Sequence, residues 1–411
     1  MNAILKGLRI VEGAAFVAAP LCGMTLAQQG ADVIRFDPLE GGLDARRWPV
    51  TGGGKSLYWA GLNKGKRSLA VDTRSAEGRE LIAALITAPG EGNGIFLTNF
   101  PASGWLGYDA LRQRRSDLIM MNVTGNPDGS SAVDYTVNCA LGFPFVTGPA
   151  HGGAPVNPVN HVLPAWDAVA GLTAALGILA AERHRRLTGK GQLVKLPLAD
   201  VAFAMTGNLG YIAEVQVNGT ERRSSGNYLY GAYGCEFETA DERLVYVAAI
   251  TRRQWDELSK TTGLADKLAA LGSLLGVDLA REGERFQARE AITAVLAPWF
   301  RQRSVASIAE VFHGTGVCWG PYQTFAQMVA EDPRCSTANP LFSMIEQPGI
   351  GTYLVPGSPL QFAAAARDVP RRAPVLGEHT DEILADVLGM SSGRIGELRD
   401  ARVVAGPIDL E

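Results

Sequence analysis

The sequence is poor in the residues that usually announce a chemistry. Its 411 residues hold five cysteines (Cys22, Cys139, Cys235, Cys318 and Cys335). The number is odd, and no two have the close spacing of a zinc or redox motif, which argues against a disulfide framework. A reducing compartment, the cytoplasm, is the expectation. The five histidines, His151, His161, His184, His313 and His379, show no ligand spacing, so no metal is expected. Neither sign of charge dominates. With 38 Lys and Arg against 42 Asp and Glu, the net charge of -4 gives no reason to expect a nucleic-acid partner. Long apolar runs are missing as well: the longest, residues 168–181, is too short to cross a bilayer and reads as a buried helix, so no membrane partner is expected. Lys6 and Arg9 precede an apolar stretch, but Glu12 and Pro20 interrupt it, which argues against a signal peptide.

Familiar nucleotide and hydrolase motifs are missing too. Gly54-Lys55-Ser56 supplies the second half of a P-loop, but its first glycine would fall at Pro49. No Gly-x-Gly-x-x-Gly follows the first strand, and no Gly-x-Ser-x-Gly elbow occurs. An α/β sheet need not therefore bind nicotinamide or carry a serine nucleophile.

What is present fits a large globular core: 46% apolar and 19% charged residues. Residues 8–11 read as a buried strand, 20–29 as a helix closed by Gly30, and 31–36 as a second strand, a βαβ unit. The alternation continues with strands near 69–71, 95–97, 118–123 and 193–196, and with a long helix from Pro164 to His184. This predicts an α/β fold with a Rossmann-like, mostly parallel sheet in a large domain. The character changes after about residue 215, where a glycine- and tyrosine-rich stretch leads into a hairpin and amphipathic helices. The expected layout is a large domain from 1–215 and 335–411, with a smaller α+β domain at 225–325 inserted.

Several segments, each weak alone, keep a specific order. They are Ala18-Ala19-Pro20, Gly30-Ala31-Asp32-Val33-Ile34-Arg35, Leu62-Asn63-Lys64-Gly65-Lys66-Arg67, Asn99-Phe100, Leu106-Gly107-Tyr108, Asp167, Thr188-Gly189-Lys190-Gly191-Gln192, Asp332-Pro333, Pro356-Gly357-Ser358-Pro359 and Leu376-Gly377-Glu378-His379-Thr380-Asp381. Along nearly its whole length the chain resembles the family III coenzyme-A transferases. Arg47-Trp48-Pro49-Val50-Thr51, Asn160-His161-Val162-Leu163-Pro164-Ala165-Trp166-Asp167 and Gly226-Asn227-Tyr228-Leu229-Tyr230-Gly231 resemble members that move CoA between two carboxyls of one molecule.

The resemblance implies chemistry through a carboxylate, with Asp167 as the nucleophile that forms a mixed anhydride and then an aspartyl-CoA thioester. It places CoA, as part of the substrate and not as a prosthetic group, against Val17, Ala18, Val71, Asp72, Thr73, Arg74, Asn99, Phe100, Pro101 and Tyr135. Lys64, Lys66 and Arg67 are its candidate phosphate neighbours. A dicarboxylic acid is implied near Gly226, Asn227, Tyr228 and Tyr230. Two chains are expected to interlock as a homodimer. This chain departs from the family pattern at Val17, where glutamine is frequent, and at Pro38, where a basic residue can stand. From the residues alone, Pro164 marks a helix start, so Asp167 falls in the first turn, where the helix dipole favours the ionised carboxylate. An ordinary capping aspartate has the same signature. Two other readings keep the same fold. One is an intermolecular transferase between dicarboxylic acids. The other is an acyl-CoA racemase, for which residues 132–138 lack the expected histidine base.

Overall fold

The computed structural model describes residues 4–150 and 157–408. His151 lies outside the described residues. The chain divides into two compact units. The first comprises residues up to Leu141, Val162–Ala213 and the chain from Pro333 on; the second comprises Gly142–His161 and Glu214–Asp332.

Buried apolar runs set the first unit. Strands β1 (Arg9–Gly13), β2 (Asp32–Asp37), β3 (Arg67–Val71), β4 (Ile95–Thr98), β5 (Ile119–Thr124) and β6 (Leu193–Pro197) alternate with helices. The chain then leaves for strands β7 (Tyr233–Glu238), β8 (Leu244–Ala249) and β9 (Cys318–Pro321) of the second unit. It returns with the hairpin β10 (Phe342–Gln347) and β11 (Gly351–Pro356), and ends on β12 (Val404–Ala405). The large sheet has the order β12-β3-β2-β1-β4-β5-β6. Every pairing is parallel except β12 against β3. Because both faces are covered by helices, β4 is buried at all four positions and β5 at four of six. The strand order reverses between β1 and β4, and in open parallel sheets that switch point opens a crevice at the strand C-termini.

The second unit has its own core. Its three strands are antiparallel. Tyr233, Phe237, Trp255, Leu296, Phe300 and Phe312 pack together, with Phe237 and Phe300 stacked at 4.2 Å between ring centroids. Two of its amphipathic helices, Glu282–Gln287 and Arg289–Arg301, follow one another directly in the chain. The stretch Gly142–His161, expected within the large domain, belongs to this unit. Ser224 donates to the Gly148 carbonyl at 2.6 Å and Val159 to the Pro144 carbonyl at 2.8 Å, which ties the excursion down.

The helix Ala165–Thr188 is long and apolar enough to cross a membrane by length and composition. In this structure Trp166, Ala170, Ala174, Ala175, Ile178 and Ala181 are buried against the first unit. Its last turn carries Arg185, which donates to the carbonyls of Asn93, Gly94 and Asp117. A helix tied by a buried guanidinium to the strand entries is a core helix.

Candidate active site

Asp167 stands in the first turn of the Ala165–Thr188 helix, as its sequence setting predicts. That helix has no capping side chain of its own at Pro164. Asp134 supplies one from the Asp134–Cys139 helix: its Oδ2 accepts from the backbone N–H of Trp166 at 2.7 Å and of Asp167 at 3.0 Å. Trp166 Nε1 donates to Asn138 Oδ1 at 3.1 Å and locks the two helices together. The orphan amides of the helix start are thus satisfied by a carboxylate 33 residues earlier in the chain.

This arrangement weakens the expected electrostatics without abolishing them. The helix dipole was expected to hold Asp167 ionised, but Asp134 already occupies its amides and adds a second negative charge. Burial first, and Asp134 second, push the Asp167 carboxyl up to about 6, while Arg47 pulls it back. No side chain among the described residues hydrogen-bonds the Asp167 carboxylate. A carboxylate that is desolvated, unbonded and ionised near neutral pH is more nucleophilic than one in water.

Arg47 is the cation facing it. Its guanidinium lies over the rings of Phe16, 5.1 Å from the centroid, and Tyr58, at 5.3 Å. Phe16 holds a positive φ of 68°, strained for a bulky residue and concentrated in functional sites. Burial pushes the Tyr58 hydroxyl up to about 12, with Asp167 raising it and Arg47 opposing.

The loop that delivers Arg47 hangs from a buried ion network. Arg35, wholly buried on β2, forks onto Asp37 at 3.0 Å and reaches Asp44 at 2.8 Å, with Trp59 stacked at 4.3 Å. Lys66 pairs with Glu12 at 2.8 Å and donates to Asn63 at 2.9 Å. Asp44 in turn accepts the Arg47 backbone N–H at its carbonyl, and Ser56 donates to the Arg47 carbonyl at 2.6 Å. Gly42 is required here: a Cβ would come within 2.6 Å of Asp37 Oδ1. Sequence reasoning quoted Arg47 without giving it a role, and missed Asp134, Tyr58 and Phe16. Nothing local in the sequence marks them, since they meet only through the crossover of the sheet.

The residues expected to hold CoA lie along the C-terminal edge of the sheet. Val17 caps the Ala18–Ala27 helix after β1. The helix of Asp167 packs on this point, because a Cβ at Gly171 would lie 2.7 Å from the Ala18 carbonyl oxygen. Asn99, after β4, pins the β1 loop: it accepts from Ala15 N–H at 3.0 Å and donates to the Ala15 carbonyl at 2.8 Å. Phe100 N–H donates to Thr98, and Pro101 follows on the same edge. Tyr135 neighbours Asp134 and donates to the Val162 carbonyl at 3.1 Å. Val71, Asp72, Thr73 and Arg74 end β3, two strands from β1, with Asp72 accepting the Arg74 N–H at 3.0 Å. Lys66 and Arg67 are committed elsewhere: Lys66 to Glu12, and Arg67 to Asp32 and Glu382.

Gly226, Asn227, Tyr228 and Tyr230 belong to the second unit. The Tyr228 hydroxyl donates to Thr293 at 3.3 Å and that of Tyr230 to Glu214 at 2.7 Å, while the Asn227 carbonyl accepts from Tyr246 at 3.0 Å. Gly226 has a φ of 65°. Both tyrosine hydroxyls therefore already donate within the unit. Among the described residues no cluster of three or more His, Cys, Asp or Glu could hold a metal.

Asp167 thus stands as a desolvated carboxylate at the C-terminal edge of a parallel sheet. Residues 5–380 match the family CoA-transferase family III, and the chain belongs to that family. It is 60% identical over 408 residues, 99% of both chains, to the 2-methylfumaryl-CoA isomerase of Chloroflexus aurantiacus. It is 28% identical to the succinyl-CoA:mesaconate CoA-transferase of Haloarcula hispanica, across 95% of this chain and 97% of that one. A crystal structure of a CaiB/BaiF family protein from Brucella suis superposes with a TM-score of 0.75 at 27% identity, covering 94% of this chain and 100% of the other.

Proposed function

We propose that the chain is an intramolecular CoA transferase that moves CoA between the two carboxyl groups of mesaconate (2-methylfumarate), with Asp167 as nucleophile. The observation that carries this is a desolvated, unbonded Asp167 carboxylate with Arg47 beside it, in a chain 60% identical to a 2-methylfumaryl-CoA isomerase.

Asp167 attacks the thioester carbonyl. The C–S bond breaks, CoA leaves as thiolate and an acyl-aspartyl anhydride remains. The thiolate then attacks the aspartyl carbonyl, giving an aspartyl-CoA thioester and free mesaconate. Mesaconate turns, its other carboxylate attacks that thioester, and the two steps run in reverse. No proton is consumed, so the transfer needs no general acid or base beside Asp167. In either isomer one carboxylate of the substrate is free, and Arg47 offers it a planar two-point partner.

CoA lies along the strand ends from Ala18 and Asn99 towards Asp72–Arg74, with Tyr135 beside the thioester, and Gly226, Asn227, Tyr228 and Tyr230 shape the acyl side. The chain works as a homodimer. Leu172, Leu176, Phe203 and Leu209 stand exposed on the first unit, apolar side chains that a partner chain would cover. With five unpaired thiols, a reducing cytoplasm suits it.

Trapping tests the nucleophile. Hydroxylamine added during turnover should convert the Asp167 thioester to a hydroxamate that peptide mass spectrometry locates. A hydroxamate on another residue, or none while turnover continues, would remove Asp167 from this role.

A further inference from the structure

A cavity lies at the edge of the large sheet opposite to Asp167. Lys64 and Gly65 precede β3, and Gln28 follows the Ala18–Ala27 helix, so they mark the N-terminal ends of the strands. Asp167 and Arg74 stand at the C-terminal ends. The cavity measures about 280 Å³ and is bordered on one side by residues between Gly357 and Arg371.

Three cationic side chains line it, those of Lys64, Arg367 and Arg371. Lys64 is only 7% exposed, and no carboxylate among the described residues pairs with it. Its neighbours in the same turn, Lys66 and Arg67, are both paired, so Lys64 is the exception. Arg367 Nε is buried with no hydrogen-bond acceptor, and its Nη2 reaches only the Pro359 carbonyl at 3.4 Å. The one carboxylate among the lining residues, Asp368, is exposed. Opposite the cations, Ala27, Phe362 and Pro370 form an apolar wall. A buried ammonium is costly unless something anionic meets it. Burial lowers Lys64 to about 8, so it still carries charge at neutral pH.

We propose that this cavity is a binding site for a small organic oxyanion, separate from the Asp167 site, with Lys64 and Arg367 holding the head and the apolar wall its body. Carboxylate and phosphate heads share the required chemistry.

The test uses the full chain with butyrate, inorganic phosphate and a chloride control of equal ionic strength. Acetylation of individual lysines by an N-hydroxysuccinimide ester is followed by mass spectrometry, and binding by calorimetry. At ten times the dissociation constant, the rate at Lys64 should fall about tenfold while that of exposed Lys190 holds. Protection by butyrate assigns a carboxylate head, and protection by phosphate alone a phosphoryl one. Lys64→Met should abolish the binding heat and Arg367→Gln weaken it. Lys64 labelling that neither anion slows overturns the proposal, as does protection that tracks protein concentration instead, or a Lys64→Met variant that binds like the wild type. Should Lys64→Met not fold, the labelling of the wild-type chain decides alone.

Discussion

Asp167 is held at the edge of ionisation by burial first and by the charge of Asp134, on the neighbouring helix, second. Turnover should rise with pH through about 6, as Asp167 loses its proton, and then level. In Asp134→Asn the added negative charge is gone, so that midpoint should shift to lower pH, readable in kcat/KM profiles. The same raised value bears on stability. The folded Asp167 binds its proton more tightly than an unfolded aspartate, whose ordinary value is 3.8. Wild-type stability should therefore fall as pH rises from about 4 to 6 and stay flat above. Asp167→Asn lacks that loss, so calorimetry should show it melting higher than the wild type at pH 7.5 while turnover is abolished, with the gap closing near pH 4. Arg47→Met should lower kcat/KM for the dicarboxylate by about ten- to a hundredfold, the loss of one charged bidentate contact.

The elements explain what could be read from the chain beforehand. Strand and helix positions of the parallel sheet were legible because apolar runs of strand length alternate with helical periods, and Gly30 closes a helix where a glycine belongs. The first-turn position of Asp167 was legible from Pro164. The cap on that helix was not, because Asp134 reaches it across a loop and an otherwise weakly marked short helix. Nor was the buried network: Arg35, Asp37 and Asp44 look like surface charges in sequence, and only the doubly covered sheet buries them. Truncating Arg35 to Met leaves Asp37 and Asp44 buried without their cation. It should cost about 3–5 kcal/mol in chemical denaturation, the range for breaking a buried pair from one side. Activity of whatever fraction folds should drop too, since Asp44 holds the loop of Arg47.

Across the whole molecule, the two-unit layout was half legible. The change of composition after residue 215 marks the second unit, but Gly142–His161 joins it through long-range contacts such as Ser224 to Gly148 that no local pattern foretells. Family membership was legible because many weak segments keep one order over the full length. The proposed dimer would cover the exposed Leu172, Leu176, Phe203 and Leu209. Light scattering should give twice the chain mass, and a stable monomer would oppose it. The central claim, transfer within one molecule, is tested by supplying mesaconyl-CoA bearing CoA on one carboxyl, together with isotopically labelled free mesaconate. Chromatography should show the two regioisomers interconverting with no label in either thioester. Label entering at the rate of interconversion would contradict it and make the chain an intermolecular transferase.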